Sequence, residues 1–256
     1  ITMLGAVGCD MYADIQMDSL SCAGVNVSRI IRRPDTTTGV ALITVNSDGD
    51  NCIVVISGAN ATLSCDDIDQ NVDLLKEADI VIFQLEIPTD TVCYGAKKAK
   101  ELGKTVILDP APVPKEFPRE LFRYVDIIKP NETELHMLTG IGHAEDHLQE
   151  ACAKLRSQGV KNILVTLGGK GVYLDSEESG ILRIPAIPVN AVDTTAAGDS
   201  FTAALAVMLA EGKSLSDAAV FANFVSAIAV TRKGAQSSIP TLQEVQEYIE
   251  GFERDQ

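Results

Sequence analysis

Tryptophan is absent from this chain, and basic residues are scarce: 21 Lys and Arg stand against 36 Asp and Glu in 256 residues. The resulting formal charge of −15 repels phosphate backbones and anionic lipid, so bulk nucleic-acid and membrane-surface binding are excluded. An anion could be held at a locally built site. Long apolar runs are missing too. The longest candidate, Ala203 to Ala210, is too short to cross a bilayer, and no signal-peptide pattern is visible. Cysteine pairing motifs are lacking: Cys9, Cys22, Cys52, Cys65, Cys93 and Cys152 are scattered, with no CxxC pair. They read as reduced cytosolic thiols, mostly buried, not as a disulfide or zinc framework, and so predict a cytoplasmic protein. There is no repeat or low-complexity tract. With 46% hydrophobic and 5% aromatic residues the composition is globular, which excludes disorder.

What is present is an alternation of short apolar runs with helical stretches. Asp79 to Gln84 reads as a strand buried on both faces, followed by a helix from Thr89 to Leu102 that stops at Gly103. Val106 to Asp109, a Pro-rich loop, Val125 to Ile128, a helix after Asn131, another helix from about Ala144 to Gln158 and the strand Ile163 to Thr166 continue the pattern. This rhythm predicts a three-layer α/β sandwich around a mostly parallel sheet, with ligands at the carboxyl ends of the strands. Residues 39–57 depart from it. They read as a hairpin with its turn at Ser47-Asp48-Gly49-Asp50, part of a small antiparallel β lid drawn from residues 28–58 of one domain spanning 1–256. Helices are expected over about Gly198 to Ala210, Leu215 to Val230 and Thr241 to Gly251.

The segment Val192-Asp193-Thr194-Thr195-Ala196-Ala197-Gly198-Asp199-Ser200-Phe201 runs small residues into a strongly helical stretch. Unpaired N–H groups at such a helix start bind anions, and Asp199 in the first turn could take a proton from an attacking hydroxyl. Asp199 as a plain helix-start residue is the other reading. Asn131 and Glu134 are spaced for an N-terminal capping box, and a Gly-rich turn ends the strand at Thr166. Gly212-Lys213-Ser214 is no P-loop, because position 207 is Val. His143 and His147, four apart with no HExxH and no third ligand evident, read as a solvated helical face.

The string Asp193 to Phe201 resembles the C-terminal motif of the PfkB carbohydrate kinases, and within that family the ribokinase branch. Gln84-Leu85-Glu86, Asp109-Pro110-Ala111-Pro112, Lys129-Pro130-Asn131-Glu132-Thr133-Glu134, Thr166-Leu167-Gly168 with Gly171, and Val230 to Gln236 agree in order and spacing, over essentially the whole chain. The resemblance implies an enzyme that phosphorylates the 5-hydroxyl of D-ribose with ATP, as a homodimer paired through the lid. Asp199 would be the base, and the amides of Ala196, Ala197 and Gly198 the anion hole. Asn131, Thr166, Leu167, Gly168, Gly169, Lys170, Gly171, Gly198 and Asn223 would bind ATP. Glu134 would hold Mg²⁺ through water, as a hard hydrated ion prefers, or act as a capping residue; the two roles can coexist. Asp193, Thr195, Ala229, Arg232, Gly234 and Ser238 would hold K⁺, largely through backbone carbonyls; Asp193 as a turn or capping residue only is the other reading. Glu86 would accept a sugar hydroxyl, though an exposed loop Glu is the commoner meaning. Many relatives carry Gly where Ala196 stands, and alanine prefers φ below zero, so a more restricted loop is expected. The Asn-x-Asp strand and Gly-Gly-Lys-Gly-x-x-Asn loop that open these kinases are not found, as if the chain began about fifty residues into a typical relative. The rival readings are deoxyribokinase, fructokinase or nucleoside kinase activity, or a silent nucleotide-binding fragment.

Overall fold

The computed structural model describes residues 1–45 and 51–254. The chain forms two compact units, Ile1–Ala78 with Gln84–Lys104, and Asp79–Phe83 with Thr105–Gln256.

In the first unit, β1 (Thr2–Val7) and β2 (Asn26–Arg32) pair in parallel across α1 (Met11–Cys22). Asp10 caps α1 through Ala13 N–H at 3.0 Å and also accepts from Thr38 N–H and Oγ1 at 2.8 and 2.7 Å. One carboxylate thus starts the helix and anchors the segment leading to the hairpin. That hairpin is β3 (Val40–Val45) against β4 (Asn51–Ile56), antiparallel, with Val40 opposite Ile56. The expected turn at 47–50 lies outside the described residues. Of the stretch 28–58 expected to supply lid strands, 40–45 and 51–56 form this pair, whereas β2 belongs with β1. Leu42, Val54, Val55 and Ile56 are exposed on the hairpin. Two short helices, α2 (Cys65–Gln70) and α3 (Val72–Glu77), lead to α4 (Thr89–Glu101). α4 buries Val92, Cys93, Ala96 and Ala99 at helical spacing, turns Lys97 outward and is followed by Gly103 at φ +73°. A small cluster of Ala6, Ala59 and Leu63, with Ile31 and Ile87 against it, forms part of the core of this unit.

The second unit holds a six-stranded sheet in the order β10-β9-β8-β7-β6-β5. Its strands are β5 (Ile80–Phe83), β6 (Thr105–Leu108), β7 (Ile127–Ile128), β8 (Asn162–Thr166), β9 (Val172–Ser176) and β10 (Gly180–Ile184). β5 to β8 are parallel, and β9 and β10 add antiparallel, so the sheet is mixed. Successive side chains point to opposite faces. Ile107, Ile127, Leu164 and Leu174 pack with Phe201, Leu205, Ala218, Ala222 and Val225 of α7 (Ala197–Ala210) and α8 (Leu215–Ala229). Alternate residues Val106, Leu108, Ile128, Ile163 and Val165 are also buried, so both faces are covered and the layered sandwich is formed. Each fully buried Leu, Ile or Phe here contributes about 1.5–3 kcal/mol of transfer free energy. The remaining helices are α5 (Glu132–Thr139), α6 (Leu148–Arg156) and α9 (Leu242–Arg254).

Three expectations are corrected. β5 is the edge of its sheet, and Ile82 is 43% exposed instead of buried on both faces. The helix expected from about Ala144 begins at Leu148, because His143 takes φ +49° and residues 143–147 close into turns. Among the five described cysteines, Cys93 and Cys152 are buried, Cys9 and Cys22 exposed and Cys65 half-buried, so most are not buried.

Candidate active site

The approach to α7 is fixed before the helix begins. The N–H groups of Val192 and Asp193 donate to the Val230 carbonyl at 2.7 and 3.2 Å. Asp193 Oδ1 accepts from Thr195 N–H and Oγ1 at 2.9 and 2.7 Å, and Oδ2 from Gly234 N–H at 3.0 Å. These donors, the Gly234 amide foremost, hold the carboxyl down at about 2, so it is anionic at neutral pH. Ala196 then takes φ +60° as the residue before α7. Against the preference for φ below zero expected of alanine, this is a left-handed conformation, which costs an L-residue about 1–2 kcal/mol.

The first turn of α7 presents the predicted amides. Ala197 N–H makes a long 3.3 Å bond to the Thr194 carbonyl, whereas among the described residues the Ala196 and Gly198 N–H groups have no backbone acceptor. The carbonyls of residues 196–198 are occupied. Ala196 O accepts from Ser200 Oγ at 2.7 Å, and Ala197 O from Ser226 Oγ at 3.1 Å. Gly198 O lies 3.0 Å from Thr202 Oγ1 and 3.5 Å from Lys129 Nζ. Asp199 is exposed in this turn.

Ala197, Gly198 and Asp199 open onto a cleft of about 790 Å³. Asn131, Glu134, Thr166, Gly168, Gly169, Gly171 and Asn223 also line it. The strand ends explain the convergence. Thr166, at the end of β8, donates to the Pro130 carbonyl at 3.0 Å, and Asn131 bridges to Thr166, which sets the cap of α5 beside the glycine turn. Asn131 and Glu134 form a capping box: Glu134 N–H donates to Asn131 Oδ1 at 2.8 Å, and Asn131 N–H to Glu134 Oε2 at 2.8 Å. Burial pushes the Glu134 carboxyl above its usual range, against the pull of that amide. Asn223 is buried and donates through Nδ2 to the Pro185 carbonyl at 2.9 Å, so it fastens the start of the apolar wall Ile187-Pro188-Val189.

Other predicted residues lie apart from the lining. Leu167 is buried beneath the turn, and Lys170 points to Glu132 at 3.6 Å. Glu86 is exposed and belongs to the first compact unit. Of the expected K⁺ ligands, Asp193, Thr195 and Gly234 are joined directly. Ala229 O accepts from Arg232 N–H at 3.1 Å, Arg232 pairs with Glu244 at 2.7 Å, and fully buried Ser238 donates to Ala235 O at 2.8 Å. The loop 143–146 gathers His143, Glu145 and Asp146 within 4.8 Å, an exposed cluster instead of a helical face, with two possible partners for His143 that the sequence spacing did not reveal.

Two residues not assigned from the sequence dominate the floor of the cleft. Asp109 and Lys129, 2% and 4% exposed at their side chains, pair at 2.8 Å, and Thr202 Oγ1 lies 2.8 Å from the same carboxylate oxygen. Asp109 Oδ1 is buried with no hydrogen-bond partner among the described residues. Desolvation therefore raises the Asp109 carboxyl in spite of Lys129. A signal was present: each residue is a charge that ends a buried apolar run, Val106-Ile107-Leu108 and Ile127-Ile128.

The pfkB family carbohydrate kinase pattern matches residues 1–242. Ribokinase of Staphylococcus aureus (strain COL) is 39% identical over 246 residues, 95% of this chain and 80% of that protein. Deoxyribokinase of Salmonella typhi is 37% identical over 250 residues, 97% of this chain and 81% of its own. Among solved structures, Arabidopsis thaliana ribokinase complexed with ribose and ATP superposes with a TM-score of 0.89 at 35% identity, covering 96% of this chain and 80% of that one. Ribokinase of Thermotoga maritima gives 0.86 at 38% identity, over 97% and 81%.

Proposed function

The chain belongs to the pfkB family of carbohydrate kinases, and from that premise we propose that it transfers the γ-phosphoryl group of ATP to the 5-hydroxyl of D-ribose. The observation that carries this is the first turn of α7, where amide groups and the Asp199 carboxylate face one cleft. In-line phosphoryl transfer needs positioning and charge stabilisation more than covalent help. The amides of Ala196, Ala197 and Gly198 bind the transferring phosphoryl oxygens, with the positive end of the helix dipole behind them. Asp199 takes the proton of the attacking hydroxyl. Asn131, the Thr166–Gly171 turn and the wall fastened by Asn223 hold the nucleotide, and Glu86 accepts a sugar hydroxyl.

The cleft fits a magnesium ion, because Glu134 and Asp199 supply carboxylate oxygen donors to it. Mg²⁺, when bound, neutralises charge on the phosphates. Glu134 would hold it through water, since each of its oxygens retains a lone pair beyond its capping bond. Asp193, Thr195, Ala229, Arg232, Gly234 and Ser238 would hold K⁺, the first two and Gly234 being already joined through the Asp193 carboxylate. The exposed apolar side chains of the hairpin are the surface on which a second subunit would pair. Among the described residues no helix is long and apolar enough to cross a membrane.

Asp199→Asn tests the assignment. It should leave the fold unchanged and lower kcat at least about a hundredfold in a coupled ADP-release assay. A folded variant with near wild-type turnover removes Asp199 from the chemistry. The similarity to a deoxyribokinase favours 2-deoxyribose as the rival acceptor. The same assay run over ribose, deoxyribose, fructose and nucleosides decides, and faster turnover of any sugar other than ribose would overturn the ribose assignment.

A further inference from the structure

We propose that Lys129, together with Thr202 and Ser226, is a positioning frame for the anion hole, aiming its peptide groups at the transferring phosphoryl. The inference rests on the reading of α7 as the phosphoryl site.

A peptide group is planar, so fixing the carbonyl of one residue fixes the N–H of the next. Ser226 Oγ on the Ala197 carbonyl therefore orients the Gly198 N–H. Thr202 Oγ1 and Lys129 Nζ beside the Gly198 carbonyl orient in the same way the Asp199 N–H, the amide that follows the Gly198 N–H in the same turn. The Thr202 hydroxyl has one proton for two acceptors, Gly198 O and Asp109 Oδ2, so it bridges the ion pair to the helix turn. Lys129 Nζ would stand 3.1 Å from a Cβ at position 198, so the ammonium packs directly against the anion-hole backbone.

Stability alone does not account for this pair. A buried ion pair is often no better for folding than apolar side chains of the same volume, and here one carboxylate oxygen stays unsatisfied. Charge does account for it. The cleft is lined by Asp109, Glu132, Glu134 and Asp199, and among the described lining residues Lys129 is the one cation. Without it, a polyanion would meet carboxylates and no cationic side chain. With it, the turn carries fixed positive potential where negative charge develops, at no reorganisation cost.

The test compares wild type, Thr202→Val, Lys129→Arg and the paired replacement Lys129→Met/Asp109→Leu, which removes both charges together and so avoids stranding one. Turnover is measured alongside amide NMR shifts at Gly198 and Asp199 during titration with inorganic phosphate. The expected result is a phosphate response at these amides in wild type, weakened about tenfold in the paired variant. kcat should fall about 10- to 100-fold while the KM for ATP changes less than about threefold, with Lys129→Arg retaining most activity. Thr202→Val, which removes one hydroxyl and no charge, should show the same trend more weakly and decides the question if the paired variant does not fold. Wild-type amides silent to phosphate would sink the phosphoryl-site reading itself. A normal wild-type response, matched by variants with unchanged affinity and kcat, would sink this inference alone.

Discussion

At Gly171 the backbone takes φ +89° and ψ −135°, and an added Cβ would overlap the Ile184 carbonyl oxygen. That is a region in which glycine is nearly alone. Gly171→Ala should therefore destabilise the protein by more than about 2 kcal/mol, read as a drop in denaturant midpoint. Ala196 makes the opposite case. It already pays for φ +60°, so Ala196→Gly should leave stability unchanged or raise it by up to about 1 kcal/mol. A clear loss there would show that the methyl packs usefully. Side chains at this scale were unevenly legible. Asp199 and the Asn131–Glu134 box stand in short local patterns, whereas Asp109, Lys129 and Thr202 become neighbours through the sheet across up to 93 positions, which no local pattern reports.

Among the elements, the segments flanking α7 and α8 are tied by two carboxylates held well below their ordinary range. Asp193 and Glu244 both lie at about 2, against 3.8 and 4.5 when unperturbed. For Glu244 the cause is first the Thr241 amide and then the Arg232 guanidinium. The folded value is depressed in each, so their stabilisation is present above about pH 4.5 and is lost as pH falls through 2. Asp193→Asn should thus show a shallower loss of Tm between pH 5 and 2 than wild type; parallel curves would contradict this. The same loop is the proposed K⁺ site, so turnover at saturating ATP should be higher in K⁺ than in Na⁺ buffer, and equal rates would remove the cation. Elements with strong periodicity, such as α4 and the C-terminal helices, were readable in the sequence. β9 and β10 were not, because a five-residue antiparallel pair after a glycine turn offers little pattern, and α6 lost its first turn to His143.

For the whole molecule, a charge of −15 means self-repulsion in every compact state. Raising NaCl from about 20 to 200 mM should shorten its range and raise Tm by a few degrees. A flat or falling Tm would show that the acidic groups are already locally compensated, as Asp67 is by Arg33 at 2.6 Å. The layered α/β architecture was legible because its strands are apolar on both faces. The edge position of β5 was not, since an apolar run does not say which strand will lie beside it. β7 spans two residues, and the chain leaves it through Lys129, Pro130 and Asn131, so the floor of the cleft and the cap of α5 are set by three consecutive positions. Surface loops absorb insertions; this tripeptide has no slack, and one extra residue would throw the ammonium and the α5 start out of step with the sheet at a single stroke.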